Sequence, residues 1–363
     1  MSNYSFLFGN PTKEQKEMED KMQKELNKAV RKTFSPNDIH TIAVLTGGGD
    51  SAGMNAAVRS VVRTAYSNGI RVYGVRYGFK GLWDGDFVEL NIRNVCDIIH
   101  RGGTKLYTSR FPLFENYETV QRAVEVTKRY GIDALVIIGG DGSFRGAHAL
   151  TKHGLPCVAV PATIDNDIAC TDYTIGFDTA LNTIQLCVDH QRDTIESHSR
   201  CSVIEVMGAR SGYLALEAGI AVGATSIIVP EIPYDIKKDV IDRIKRTSAT
   251  GKHHFIVLIA EGVCFRDGIT VEDIAREIEE YARVESRATV LGYVQRGGSP
   301  TVRDRVMASR MGNRAVHLLL EGTSNRVVAM RNNQITDLDI NEALEMEKSI
   351  DEDLYRCAME ISL

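Results

Sequence analysis

The strongest chemical signal in this sequence is the segment PATIDND at residues 161–167. If the segment is extended, its side chains alternate, so Asp165 and Asp167 point the same way and Asn166 points the opposite way. Two carboxylates on one face repel each other, and a divalent cation or a proton shared with a substrate relieves that repulsion. One carboxylate would then act as general base on a hydroxyl while the other holds Mg²⁺. Taken alone, the segment is equally typical of a solvated surface turn.

Two glycine-rich segments each follow a predicted strand and open a predicted helix. They are TGGGDSAG at residues 46–53 and IGGDGS at residues 138–143. Bare backbone amides at such turns suit phosphate, and Asp141 in the second segment offers a hard oxygen ligand for Mg²⁺. Neither segment matches the P-loop or GxGxxG patterns. A tight turn without a ligand is the alternative for either segment alone, but two such turns at neighbouring strand ends are more specific than one.

Arginines near predicted strand ends supply the positive charge that a phosphorylated substrate would need. They are Arg110, Arg200, Arg287 and Arg296, the last within GYVQRGGSP at residues 292–300. For any one of them a solvated surface position is the more common role. Their placement near strand ends and glycine turns is what favours a binding role.

The elements that must position these residues alternate between short Val/Ile-rich runs and helical patterns, at the rhythm of a doubly wound parallel sheet. The predicted strands are Thr41–Leu45, Arg71–Arg76, Ala134–Ile138, Pro156–Val160, Ser202–Val206, Ser226–Val229, Phe255–Ala260 and Ala288–Leu291. Predicted helices include Met54–Ser67, Phe177–Ile195, Val271–Ala282 and Arg303–Leu320, and a hairpin turns on Asn332-Asn333. The chemical segments follow strands, where an open α/β sheet binds its ligands.

Composition narrows the function classes further. With 363 residues and a net charge of -5, the chain is long enough for two domains and has no broad cationic surface, so nucleic acid and membranes are not expected partners. Its seven scattered cysteines include no CxxC pair, which favours reduced thiols, and no signal peptide or membrane span is apparent. We therefore expect a cytoplasmic protein. Residues 1–38 are highly charged and predict one amphipathic helix.

Taken together, these motifs resemble the 6-phosphofructokinase family from about Thr41 to about Asp339. The resemblance runs through TGGGDSAGMNAA, RGGTKLYTSR, IGGDGS, PATIDND, YTIGFDTA, VEVMG, AEG and LGYVQRGGSP. It implies transfer of the γ-phosphoryl group of Mg-ATP to the 1-hydroxyl of fructose 6-phosphate, a step of glycolysis.

The expected α/β fold has two doubly wound, Rossmann-like, three-layer domains with the active site in the cleft between them. We expect residues 40–176 plus 295–345 to bind the nucleotide. We expect residues 177–294 plus 346–363 to bind the sugar phosphate, and residues 1–39 to form an N-terminal helical extension.

The resemblance also implies roles for single residues. The expected nucleotide contacts are Gly49, Arg110, Gly140, Asp141, Gly142, Ser143 and Gly146. Asp141 and Asp167 would hold Mg²⁺, Thr163 would contact the transferring group, and Asp165 would be the base. The expected sugar-phosphate contacts are Thr163, Asp165, Met207, Gly208, Glu261, Tyr293 and Arg296, joined by Arg200 and Arg287 acting from a neighbouring subunit. A shared site implies a homo-oligomer, usually a tetramer.

Two positions favour ATP over pyrophosphate as the phosphoryl donor. The resemblance implies that family members which use pyrophosphate carry a second aspartate and a lysine at the positions where this chain has Gly142 and Ala162. A carboxylate at position 142 would repel the α-phosphate, and glycine leaves room for it. Pyrophosphate use is the alternative within the class, and the lipid and NAD kinase group, which shares only the GGDG turn, is a weaker rival.

This sequence departs from the family pattern at several binding positions. Ala209 replaces a usual arginine, with Arg210 next to it, and Tyr293 replaces a histidine. These departures keep open a catalytically silent, effector-binding subunit as another class of function. The basic residues that match the family's effector site are Arg59, Arg63, Arg192, Lys252 and His254. Because Thr225 and Ile92 replace an acidic residue and an arginine there, we expect altered or absent ADP activation.

Overall fold

Two β-sheets organise the part of the chain that the computed structural model describes, residues 39–362. The helix expected in residues 1–38 lies outside the described residues. The first sheet has the strand order β11-β10-β5-β4-β1-β2-β3 and the second has the order β7-β8-β6-β9. The strands are β1 Thr41–Thr46, β2 Arg71–Val75, β3 Phe87–Leu90, β4 Ala134–Gly139, β5 Cys157–Pro161, β6 Cys201–Val206, β7 Ser226–Ile228, β8 Phe255–Ala260, β9 Ser286–Val290, β10 Arg326–Arg331 and β11 Gln334–Asp339.

Helices fill the intervals between these strands. They are α1 Met54–Ser67, α2 Gly78–Asp84, α3 Tyr117–Arg129, α4 Asp141–Lys152, α5 Phe177–Ser197, α6 Tyr213–Ala221, α7 Asp242–Ala249, α8 Glu261–Asp267, α9 Val271–Ala282, α10 Val302–Leu320, α11 Ile340–Glu345 and α12 Glu352–Ile361. Short 3₁₀ turns cover Pro112–Glu115 and Gly292–Arg296, and a π-helical turn covers Lys237–Ile241. No helix within residues 39–362 has the length and apolarity that crossing a membrane requires.

The central strands are buried along their whole length because helices cover both faces of each sheet. Strands β1, β4, β5 and β8 contain no exposed residue. Their sequences read as continuous apolar runs, as parallel strands buried on both faces do. The second sheet is wholly parallel, and the first is parallel except for its two edge strands, β3 and β11. This arrangement confirms the predicted α/β fold class.

Two edges of the sheets differ from the sequence prediction. Strand β3 was not predicted, because FVEL is short and two of its four residues are exposed, which leaves a weak pattern. Strand β9 spans Ser286–Val290, although we predicted it over Ala288–Leu291. The register of β9 is fixed by pairing with β6, where Cys201 lies opposite Ser286, and such pairing is not visible in local sequence.

The chain crosses between the two sheets three times. It leaves the first sheet after β5, returns through α10, and crosses again at residues 346–351 between α11 and α12. The strands of the first sheet all fall within residues 40–176 and 295–345, and those of the second within residues 177–294. The domain boundaries themselves stay predictions. The crossovers bring PATIDND and QRGGSP to the space between the sheets.

Candidate active site

The carboxyl ends of β1, β4 and β5 open onto a cleft of about 670 Å³. Many of the residues predicted to bind ligands line this one cleft. They are Gly49, Arg110, Gly140, Asp141, Gly142, Ser143, Gly146, Thr163, Asp165, Asp167 and Arg296. The parallel register explains the convergence, because β4 pairs with both β1 and β5 and the chain segments that follow meet at one edge.

The first glycine turn is held against the second by a close backbone approach. The Gly47 amide donates to the Ile138 carbonyl at 2.9 Å. A Cβ at Gly139 would lie 2.6 Å from the Gly47 carbonyl oxygen, so no larger residue fits there without moving the turn. A Cβ at Gly49 would likewise lie 2.6 Å from Arg296 Nη1, and that guanidinium donates to the Asp50 carbonyl at 3.1 Å. The arginine of QRGGSP therefore lies directly on the first glycine turn.

The second glycine turn leads into α4, which begins at Asp141. Burial raises the pKa of the Asp141 carboxyl, and Arg145, one helical turn further along α4, partly offsets that rise. A Cβ at Gly142 would meet no atom within 4 Å, so this position faces open space in the cleft. Glycine at 142 is therefore not required by packing, and its absent side chain leaves room for a ligand.

PATIDND forms a turn and not an extended segment, so our prediction of simple side-chain alternation is wrong. Asn166 has a φ of 50°, in the left-handed region that asparagine tolerates better than most residues. Thr174 Oγ1 donates to the Thr163 carbonyl at 2.7 Å and ties the turn to the chain behind it. Asp165 and Asp167 nevertheless both line the cleft. Their convergence comes from the turn at Asn166.

The charges in the cleft set unusual proton affinities. Burial raises the pKa of Asp165, Arg296 opposes that rise, and Glu261 adds to it. Burial, together with repulsion from Asp165 and then Asp141, raises the pKa of Asp167 to about 6. The Asp165 Oδ1 atom is buried and has no hydrogen-bond partner among residues 39–362, whereas its Oδ2 accepts from Thr163 Oγ1 at 3.3 Å. One oxygen of Asp165 is therefore left without a partner, in a residue that lines the cleft.

The acidic groups suit Mg²⁺ that also binds a substrate. Within the described residues, no group of three or more His, Cys, Asp or Glu side chains converges closely enough to hold a metal alone. Mg²⁺ is commonly bound by one or two carboxylates, waters and substrate phosphates, and dedicated protein cages are rare. The mutual repulsion between Asp141 and Asp167 is the kind of charge that a cation and its phosphates would relieve. The donor set therefore fits Mg²⁺.

The predicted sugar-phosphate residues of the second sheet stand beside Asp165. Glu261, at the start of α8, accepts from the amides of Gly208 at 3.1 Å and Ala209 at 2.7 Å. The Met207 amide donates to Gln295 Oε1 at 3.1 Å, so QRGGSP is held against the end of β6. Ser211 Oγ bonds the Asp165 carbonyl at 3.2 Å. These contacts join the acidic turn to the second sheet.

Besides Met207, Gly208 and Glu261, which do not themselves line the cleft, three further predicted contacts are absent from its lining: Arg200, Arg287 and Tyr293. Arg200 pairs with Glu285 at 2.9 Å, and Arg287 contacts Glu285 and also Glu279, the latter at 3.5 Å. Both arginines lie at the amino ends of β6 and β9, at the opposite end of the second sheet from Met207 and Glu261. The Tyr293 side chain is 84% exposed. A single copy of the chain therefore places none of these three side chains in its own cleft.

The residues matched to an effector site divide into two groups. Arg192, on α5, lies near Lys252 and His254, and the pKa of His254 is lowered by burial and by the neighbouring positive charges. The Arg192 guanidinium donates to the Val222 carbonyl and lies 3.8 Å from Asp189. Arg59 and Arg63 lie on α1 of the first sheet. Their role as an effector site stays a prediction.

Sequence reasoning did not single out several residues of the cleft. Arg145 follows Asp141 by four positions, and this helical spacing would have revealed it. The aromatic wall formed by Phe79, Phe111 and Phe114 comes from two separate segments, so no local pattern marks it. The rings of Phe79 and Phe114 have centroids 4.4 Å apart, and Gly146 admits Phe79 because a Cβ there would lie 2.4 Å from its ring.

Comparisons with known proteins identify the family. The sequence matches the family model described as phosphofructokinase over residues 41–319. A protein from Bacillus mycoides named ATP-dependent 6-phosphofructokinase is 53% identical over 322 residues, which are 89% of this chain and 99% of that protein. Phosphofructokinase from Saccharomyces cerevisiae superposes with a TM-score of 0.79 at 33% identity over 89% of this chain, which spans 48% of the yeast chain.

A pyrophosphate-dependent phosphofructokinase from Nitrosospira multiformis has a TM-score of 0.78 at 22% identity, covering 89% of this chain and 91% of its own. That likeness shows a shared fold. The family model covers well over half of the sequence, and the resemblance noted from the motifs is confirmed. The chain belongs to the phosphofructokinase family.

Proposed function

We propose that this chain is an ATP-dependent 6-phosphofructokinase, which moves the γ-phosphoryl group of Mg-ATP to the 1-hydroxyl of fructose 6-phosphate. The products are fructose 1,6-bisphosphate and ADP. The observation that carries the proposal is the buried, unpaired Asp165 Oδ1 in a cleft between two glycine turns. The name of the Bacillus mycoides relative supports the same reaction.

Asp165 acts as general base in this proposal. As the 1-hydroxyl oxygen bonds to the γ-phosphorus, its proton passes to Asp165, and the bond from the γ-phosphorus to the β,γ-bridging oxygen breaks. Arg296 opposes the rise in the pKa of Asp165 that burial causes, and so favours the ionised carboxylate. Thr163, which donates to Asp165, contacts the transferring group.

The residues around Asp165 stabilise the negative charge of the phosphoryl group during its transfer. Asp141 and Asp167 would hold Mg²⁺, which would supply positive charge to the donor phosphates. Arg110 and the Gly49 backbone contact the donor phosphates, and Gly140, Gly142, Ser143 and Gly146 surround the nucleotide. Preorganised donors of this kind stabilise the charge of the transition state without reorganisation.

The sugar phosphate contacts the second sheet. Met207, Gly208, Glu261 and Arg296 surround the sugar, as their hydrogen bonds beside Asp165 support. Arg200, Arg287 and Tyr293 lie outside the cleft of their own chain, so we propose that the two arginines complete the cleft of a second copy in a homo-oligomer, a tetramer. Residues 40–176 plus 295–345 form the nucleotide domain and residues 177–294 plus 346–363 the sugar domain.

ATP is the proposed donor. The open space at Gly142 supports a nucleotide, because a carboxylate there would project into the cleft beside the phosphates. Ala162 carries no charge, whereas the resemblance places a lysine at this position in pyrophosphate-using relatives. A silent effector-binding subunit is less well supported, since Asp141, Asp165 and Asp167 all line the cleft.

All seven cysteines are free, which supports a cytoplasmic location.

A coupled assay of the purified chain tests the proposal by offering ATP, ADP and pyrophosphate in turn with fructose 6-phosphate. We expect turnover with ATP and none above background with the other two donors. A preparation from cells that carry the empty vector, purified in the same way, measures the contaminating activity. Turnover with pyrophosphate alone would select the alternative donor, and no turnover with any donor would favour the silent subunit.

A further inference from the structure

Lys348 lies in the third crossover, residues 346–351, which has no regular secondary structure. The helix before it, α11, packs against α4 and β11 of the first sheet, and the helix after it, α12, packs against α6 and β7 of the second. The crossover therefore runs from one sheet to the other. Nothing in the reaction described above uses this segment.

The ammonium group of Lys348 bonds the main chain of the acidic turn. Its Nζ donates to the Asn166 carbonyl at 2.5 Å and lies 3.4 Å from the Thr171 carbonyl. Asn166 is the buried, left-handed residue between the two cleft carboxylates. The face of the Tyr213 ring lies 4.8 Å from the same nitrogen and holds the cation from the side of α6.

The hydrogen bonds of Lys348 go to the backbone, although several carboxylates lie near its ammonium group. Asp167, Asp172 and Glu217 lie near enough to interact with its charge. Yet across residues 39–362 no ion pair joins Lys348 to a carboxylate, and its bonds go to carbonyl oxygens. A lysine placed only to neutralise the acidic turn would be expected to pair with a carboxylate oxygen directly.

We propose that Lys348 is a positioning residue for phosphoryl transfer, which fixes the left-handed turn at Asn166 and so aims Asp165 and Asp167 into the cleft. The inference rests on the proposed function. A strained turn persists only where surrounding contacts determine it, and the bond to the Asn166 carbonyl is such a contact. The crossover thereby couples the relative position of the two sheets to the alignment of the base.

Steady-state kinetics of Lys348→Met and Lys348→Arg test this role. Because a misplacement of about 1 Å can cost about 100-fold, we expect Lys348→Met to lower kcat by about 10- to 100-fold. The KM values for ATP and fructose 6-phosphate should change by less than about threefold, since Lys348 does not line the cleft. Lys348→Arg keeps a cationic donor and should restore at least part of kcat. Lys152→Met, at the far end of α4 in a half-buried setting, is the matched control.

The same substitution in the Asp165→Ser background separates positioning from general damage. If Lys348 acts through the carboxylates of the turn, Lys348→Met should cost less than about threefold there, because residues that act as a unit are not additive. An equal loss in both backgrounds, an unchanged kcat, or a loss confined to KM would overturn the inference. If Lys348→Met does not fold, Lys348→Gln carries the same comparison.

Failure of the proposed function is a separate outcome. A wild-type chain without turnover would remove the reaction itself. A wild-type chain that turns over, with Lys348→Met at full kcat, would remove only the role of Lys348.

Discussion

Asp165 experiences opposing influences on its proton affinity. Burial removes water from the carboxylate and Glu261 repels it, while Arg296 stabilises its charge. A general base is most useful when its pKa lies near the operating pH, and a raised pKa moves an aspartate in that direction. The residue that opposes the rise also lies on the first glycine turn, so one guanidinium acts on both the base and the loop.

Replacement of Asp165 by Ser removes the carboxylate that would accept the proton. We expect kcat to fall by about 10²- to 10⁴-fold, the range for loss of general base catalysis. Steady-state assays with saturating ATP and fructose 6-phosphate measure it. Asp193→Ser, at an exposed position on α5, is the control and should retain full activity. A near-normal kcat for Asp165→Ser would remove Asp165 from the role of base.

Asp167 carries a stability cost because its folded-state pKa is raised to about 6 from the ordinary 3.8. A raised carboxyl pKa favours the folded state at low pH, and this contribution is lost as the pH rises through about 6. Asp167→Asn removes the charge and should therefore stabilise the ligand-free protein at pH 8. Since the side chain opens to the solvent of the cleft, screening limits the gain to roughly 1 kcal/mol.

Thermal unfolding at pH 8 and pH 5 checks this expectation. The gap between Asp167→Asn and wild type should shrink at pH 5, where the wild-type carboxyl is largely protonated. Asp193→Asn should show no gap at either pH. A variant less stable than wild type at pH 8 would mean that Asp167 contributes favourable contacts that outweigh its charge.

At the scale of elements, helix α10 is tied to the start of α5 by one buried carboxylate. Asp304 is fully buried and accepts from Tyr173 Oη at 2.6 Å, the Gly176 amide at 2.7 Å and the Thr179 amide at 2.9 Å. Thr179 Oγ1 donates to it as well. Two of the three crossovers between the sheets are thus joined at a single side chain.

Asp304→Ala leaves several buried donors without an acceptor. We expect a loss of about 3 to 5 kcal/mol in the free energy of unfolding, as for removal of one partner from a buried charged network. Urea unfolding followed by circular dichroism measures the loss. Asp304→Asn keeps the shape and one acceptor oxygen, so its loss should be smaller. Equal stability of Asp304→Ala and wild type would show that water replaces the carboxylate without cost.

On the scale of the whole molecule, the residues expected to bind the sugar phosphate lie at opposite ends of the second sheet. Arg200 and Arg287 lie at the amino ends of β6 and β9, whereas Met207 and Glu261 follow the carboxyl ends of β6 and β8. One copy of the chain cannot use both sets on one substrate. A closed assembly in which each copy contributes arginines to another would do so.

Mixing two defective variants tests this shared site. Asp165→Ser lacks the base and Arg287→Ala lacks the cation, so each homo-oligomer should be impaired. After the variants are co-refolded or co-expressed, hybrid assemblies contain some sites with both residues intact, and activity should exceed the sum of the separate variants severalfold. The same mixture without subunit exchange is the control. Activity that merely equals the sum would contradict a site built from two copies.

Local sequence was sufficient for most of the elements and for the family. Continuous apolar runs predicted the buried strands β1, β4 and β8, and the helical period predicted α1 and α9 with their observed bounds. Motif order identified the family, because the spacing of glycines and carboxylates reflects the backbone that binds phosphate. Strand β3 and the start of β9 were not predicted from the sequence, since both depend on pairing with a neighbouring strand.

Tertiary structure alone decided how the site is assembled. The left-handed Asn166, the bond from Lys348, the aromatic wall and the position of Arg287 opposite Ser202 all depend on residues far apart in the chain. Periodicity reports which face of an element is buried, but it does not report which distant segment covers that face. The sequence by itself therefore determined most of the secondary structure and the family, and the packing of three crossovers decided where the carboxylates point.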